Sequence, residues 1–155
     1  MSPPNQTNCQ IELFLVTLGE DGHLRFVRKV KPLCGDPDAV ARELLAETPA
    51  VWLHSTSWRY ENGGIVLTYL AWCERTEWDD ESNSLLRLEQ LSLACQSRPR
   101  HPKPKGVTAF HVVAHGLRHF SWLAQRPSEN PCLSILDKRT LAWLRGLDPL
   151  PSGQI

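Results

Sequence analysis

A chain of 155 residues is long enough for one domain that buries roughly 70% of the surface its unfolded form exposes. Lys and Arg number 17 and Asp and Glu also 17, so no net field draws the chain onto nucleic acid or an anionic membrane. Five cysteines with no Cys-x-x-Cys pair, no basic and apolar leader and no apolar run near the ~20 residues that span a bilayer lead us to expect a cytoplasmic protein with no membrane partner.

Residues 1–9 are expected to form a flexible tail ahead of a single globular domain over 10–150. Residues 11–18 and 24–30 are β-branched and aromatic runs around the Gly and Asp of a turn, which predicts a hairpin. Asp36-Pro37 supplies an N-cap and a first helical position, predicting a helix over 37–48 that stops before Pro49, with Val40 and Leu44 inward. A second hairpin is expected over 51–74, around Glu61-Asn62-Gly63-Gly64, residues that tolerate positive φ. Strict alternation along its first strand puts Trp52, His54, Thr56 and Trp58 on one face, and Leu53, Ser55, Ser57 and Arg59 on the other.

The acidic residues Glu74, Glu77, Asp79, Asp80 and Glu81 mark a surface loop. Over 84–96 a helical period runs through Leu85, Leu88 and Leu91, and a strand period through Leu91, Leu93 and Cys95, so helix and strand both stay open. Residues 97–106 combine Arg98, Arg100, Lys103 and Lys105 with three prolines, which predicts an internal loop. It carries no aromatic residue on which bases could stack, and nucleic acid is not an expected partner. Helices are predicted over 108–125 and 133–147, ended by Pro127 and Pro149. The order of elements predicts an α/β chain of the α+β type: a mainly antiparallel or mixed sheet from two hairpins, with packed helices.

The helix at 108–125 carries the most concentrated chemistry. Phe110, Val113, Leu117, Phe120 and Ala124 share an apolar arc, while His111, His115, Arg118, His119 and Trp122 gather opposite it. A zinc site asks for three or four ligands, and no further histidine or cysteine is spaced to join this helix, so no metal is expected. Arg118 offers a fork for phosphate or carboxylate, and a histidine near neutrality adds a donor. On the hairpin strand, His54, Thr56, Trp58 and Arg59 could likewise hold an anionic or aromatic ligand. These residues predict a non-catalytic or regulatory binding domain, whose partner is a small anionic molecule or a protein.

Two resemblances bear on the enzyme alternative. Arg42, Glu43 and Glu47 in ARELLAETPA match part of the Nudix box, and the surrounding order of a hairpin, a helix and more strands is similar to that fold. The resemblance implies a diphosphate hydrolase in which Glu43 and Glu47 hold Mg²⁺, the one cofactor any reading here requires. Ala46 and Pro49 stand where the box has glutamate and glycine, so the domain implied is a degenerate one. His54-Ser55-Thr56 and His119-Phe120-Ser121 resemble the motif pair of the 2H phosphoesterases, which implies His54 and His119 as acid and base on a phosphodiester.

Overall fold

The computed structural model describes residues 8–19, 24–45, 48, 50, 52–73, 84–86, 109–126, 136–147, 149 and 153–154. Four long strands, β1 (Asn8–Leu18), β2 (Leu24–Pro32), β3 (Trp52–Glu61) and β4 (Gly64–Trp72), form a mixed sheet in the order β2-β1-β4-β3. Short strands extend its two edges, β5 (Ser84–Leu86) beside β2 and β6 (Gly153–Gln154) beside β3. Helix α1 (Pro37–Leu45) packs on one face, and α2 (Ala109–Ala124) with α3 (Lys138–Arg145) on the other. The chain is thus of the α+β class. Among the described residues, no helix is long and apolar enough to cross a membrane.

Both hairpins form where turn chemistry and alternation place them. Asn62 and Gly63 take φ of 50° and 76°, the positive values that a tight two-residue turn requires. The two hairpins join through β1 and β4, which run parallel from Asn8↔Gly64 to Val16↔Trp72. That pairing corrects the tail boundary, because Asn8 and Cys9 belong to β1 and find partners in Gly64 and Ile65.

Helix α1 begins as expected, its Asp36 side chain accepting from the Ala39 amide at 3.1 Å. It ends at Leu45, where the Thr48 amide turns back to the Leu45 carbonyl. Helix α3 starts later than its apolar pattern suggests, because Asp137 caps it by accepting from the Thr140 amide at 2.7 Å. At 84–86 the structure chooses strand. Residues 87–108, with the basic loop, residues 74–83, Glu47 and the Phe110 side chain lie outside the described residues.

The two faces of the sheet follow from β1, which is buried on both sides from Ile11 to Thr17. Ile11, Leu13 and Leu15 meet Val40 and Ala41 of α1 together with Tyr69 and Ala71 of β4. Tyr69 ties the layers by donating to Asp38 at 2.5 Å. Phe14 and Val16 meet Leu24, Phe26, Trp52, Leu70 and Trp72, under Val112, Val113, Leu117, Phe120 and Ala124 of α2. Phe120, fully buried, stacks on Trp52 with 4.3 Å between ring centroids. Burying such a ring contributes about 2–3 kcal/mol. Glu12 lies on this same face, buried to 1% exposure, and its position governs the charged part of the molecule.

Candidate functional site

Antiparallel partners directly across a ladder share a face, so the register of β3 against β4 locates each of its side chains. Trp52↔Trp72 and His54↔Leu70 point toward α2. The register then shifts between Ser55 and Ser57, leaving Thr56 as a bulged residue with no partner across the ladder. Beyond it Ser57↔Thr68 and Arg59↔Val66 face α2, while Trp58↔Leu67 and Tyr60↔Ile65 face away. The expected alternation therefore holds only up to the bulge. Trp58 does not join His54; it packs edge-on against Tyr60, 5.4 Å between centroids, on the opposite face. Arg59 lies on the His54 face instead.

Gly116 marks where α2 comes closest to the bulge, since a Cβ there would lie 3.3 Å from Thr56 Oγ1 and 3.4 Å from Leu70. A larger side chain would lift the helix off the strand, so the glycine permits the seam. Thr56 is fully buried in it, its hydroxyl 3.5 Å from the Thr68 carbonyl. His115 and His119 flank Gly116 and turn toward β3. The His54 and His119 rings lie 5.0 Å apart, tilted by 56°, and His119 is only 4% exposed.

The tautomers of two histidines follow from their partners. His54 Nδ1 lies 2.7 Å from the Ser55 carbonyl, which can only accept, so Nδ1 carries the hydrogen. The His115 ring bonds the Thr56 backbone, and its buried Nε2 has no partner among the described residues, so Nδ1 makes that bond. The bond favours the charged ring, as donation to a carbonyl does. Burial nevertheless holds His115 below the ordinary histidine range, and the Arg118 charge adds to that. Neutral His115 thus presents an Nε2 lone pair to the seam. The Ser57 hydroxyl is a second buried polar group there with no partner among the described residues.

His111, Arg118 and Trp122 are half-buried, as His115 is, and the Arg118 charge acts on His115, so of the five polar residues only His119 is buried. The helical spacing set them on one arc, but the helix buries a wider stripe than its apolar residues mark, reaching His119. Trp122 is covered locally: the Arg126 guanidinium lies 3.6 Å above its ring and donates to the Trp122 carbonyl at 3.0 Å. Glu43 is exposed on α1, behind the sheet, and pairs with Lys31. Among the described residues, no three His, Cys, Asp or Glu side chains group as metal ligands would.

Below the seam the α2 face of the sheet becomes ionic. Glu12 accepts from Arg59 at 2.7 and 3.0 Å, from Arg28 at 2.6 Å and from Thr68 Oγ1 at 2.9 Å. Burial pushes the Glu12 carboxyl up, but Arg59 and Arg28 outweigh it and hold it below the usual carboxylate value. Burial likewise works against the Arg59 charge, and Glu12 with Glu61 reverses that. Of this group only Arg59 stands out in the sequence, as part of the hairpin motif. The available signal for the rest is the lone carboxylate in the apolar run IELFLVTL, which a buried cation must meet.

No protein-family model matches the chain, and no curated protein matches it either.

Proposed function

We propose that this chain is a non-catalytic binding domain that holds a small anionic ligand in the seam between β3 and α2. One observation carries the reading: the bulge in β3 gathers His54, His115 and His119, with His54 and His119 in ring contact and two buried polar atoms, His115 Nε2 and Ser57 Oγ, without partners among the described residues. Buried polar groups are normally paired, and an orphan in a cluster of ring nitrogens points to a bound water, ion or ligand. The titratable groups that the structure places there are basic, and Arg118 adds a fixed charge next to His115. Once protonated, an imidazole whose Nδ1 is anchored to a carbonyl offers Nε2–H to an anion oxygen. The reading assigns no chemical step. Calorimetric titration with inorganic phosphate near about pH 6, within the histidine range, tests it. Saturable binding weakened about tenfold or more, some 1.4 kcal/mol, in His115→Gln supports it; no binding to the wild type overturns it.

The same His54–His119 contact favours a second reading, hydrolysis of a phosphodiester by two histidines. As the rings touch, a phosphate could enter between them only after His54, the more exposed of the two, swung outward. Turnover of bis(p-nitrophenyl) phosphate lost in both His54→Gln and His119→Gln would support it, and no turnover by the wild type removes it. A third proposal, Mg²⁺ held by α1 in the manner of a Nudix hydrolase, meets a competing contact, since Lys31 already pairs with the Glu43 carboxylate that the ion would need.

A further inference from the structure

Where β1 and β4 begin, four side chains of alternating sign form a chain across the sheet: Arg28, Glu12, Arg59 and Glu61. Arg28 Nε donates to Glu12 Oε2, the Arg59 fork closes on both Glu12 oxygens, and Arg59 also donates to Glu61 Oε2 through Nη2 at 2.8 Å and Nε at 3.1 Å. The two inner charges are buried and satisfy each other. The two outer ones are open, with side-chain exposures of 45% for Arg28 and 40% for Glu61. Among the described residues, the Arg28 Nη groups and Glu61 Oε1 have no further partner.

Both ends line one cleft of about 120 Å³, together with the amides of Asn8, Gln10 and Asn62. That is room for about four waters, the scale of a small amino acid rather than a nucleotide. The cleft is closed on one side by an unusually near approach: a Cβ on Gly64 would lie 2.1 Å from the Asn8 carbonyl oxygen. Only glycine lets the start of β1 sit against the hairpin there.

We infer that this cleft is a second binding site, separate from the seam, and that it takes a small zwitterion, an α-amino acid whose carboxylate meets Arg28 and whose ammonium meets Glu61. A ligand with one charge would satisfy one end and leave the other facing it desolvated, which costs affinity. A zwitterion satisfies both, with the three amides bonding what remains of its oxygens and hydrogens. Glu12 prepares the site by fixing Arg28 through Nε, which leaves the two Nη groups as a fork suited to a carboxylate.

The test is an amide-resolved NMR titration of the full chain with glycine and L-alanine, against acetate and methylammonium. Saturable shifts at Gln10 and at residues 61–65 are expected with the amino acids, at affinities about tenfold or more above either single-charge probe. Glu61→Gln should remove most of that preference over acetate. Gln10→Trp, which fills the cleft and keeps all four charges, should abolish binding with the fold intact by circular dichroism. Acetate binding as tightly as glycine, undiminished binding by Gln10→Trp, or no saturable shift in the wild type overturns the inference. None of these outcomes touches phosphate binding at the seam, which stands or falls on His115.

Discussion

Arg59 of β3 closes a two-point fork on Glu12 of β1, 47 residues away in the chain, with Nη1 2.7 Å from Oε1 and Nη2 3.0 Å from Oε2. The pair is buried, and β4 runs between the two strands and contributes Thr68 to the same carboxylate. Removing one member of such a pair strands the other charge, at about 3–5 kcal/mol. Glu12→Gln should therefore destabilise by about 3 kcal/mol in urea denaturation. Replacing the pair together, Glu12→Leu with Arg59→Met, should cost less than either single change, because no buried charge is left unpaired and Arg28 and Glu61, which lose their partners, are open to solvent.

The same pair sets an acid limb of stability. The folded Glu12 carboxyl lies below its ordinary value of 4.5, so the unfolded chain binds its proton first as pH falls. The stabilisation is complete above 4.5 and is lost as pH drops from there through the lowered folded value. Denaturation midpoints across that range should fall more steeply for wild type than for Glu12→Gln.

These relationships show where sequence reasoning reaches its limit. The hairpins and the start of α1 were legible because turn residues and caps act locally: Asn62 and Gly63 can take positive φ, and Asp36 accepts from the amide three residues on. The bulge at Thr56 was not legible, because a single extra residue leaves no compositional mark and yet exchanges the faces of Trp58 and Arg59. In the sequence Glu12 is one polar residue in a strand, and its partners come from β2, β3 and β4. The outer histidines of α2 were visible as a polar arc, but which of them turns inward depends on how near Gly116 lets the helix approach β3.

His115 adds a second acid limb of the same sign, although there the deprotonated form is the neutral one. Burial keeps the folded imidazole below the ordinary value of 6.5, so the unfolded chain takes up the proton first on acidification. Stability is complete above 6.5 and falls as pH drops through the lowered folded value, and His115→Gln should flatten that limb. Phosphate bound at the seam would reverse the preference, because an anion oxygen needs Nε2–H. Binding should therefore take up a proton and tighten as pH falls. Calorimetry in two buffers of different ionisation enthalpy measures that uptake, and a heat independent of buffer would contradict it.

Two neighbouring glycines should respond unequally to alanine. At Gly64 the added Cβ meets the Asn8 carbonyl at 2.1 Å, backbone against backbone, so the β1–β4 register must shift at its first pair. A loss of about 3 kcal/mol is expected, as for an overpacked core site. At Gly63 nothing lies within 4 Å of the added atom, and only its φ of +76° resists, which costs about 1 kcal/mol. Equal losses in thermal denaturation would mean that the close approach at Asn8 is not holding the strands.

The bulge itself can be removed. With Thr56 deleted, Ser55↔Tyr69 and Ser57↔Thr68 become consecutive pairs of a regular ladder, and every residue from Ser57 onward keeps its face. The Arg59–Glu12 fork and the cleft beside it should survive, since neither uses the extra residue. The seam should not: His115 loses the Thr56 carbonyl that anchors its ring, and α2 loses the buried side chain opposite Gly116. The deletion should leave a folded protein, destabilised by about 1–3 kcal/mol for the lost packing and hydrogen bond, that retains glycine binding and loses phosphate binding. Loss of both, in a chain still folded by circular dichroism, would mean that seam and cleft work as one site.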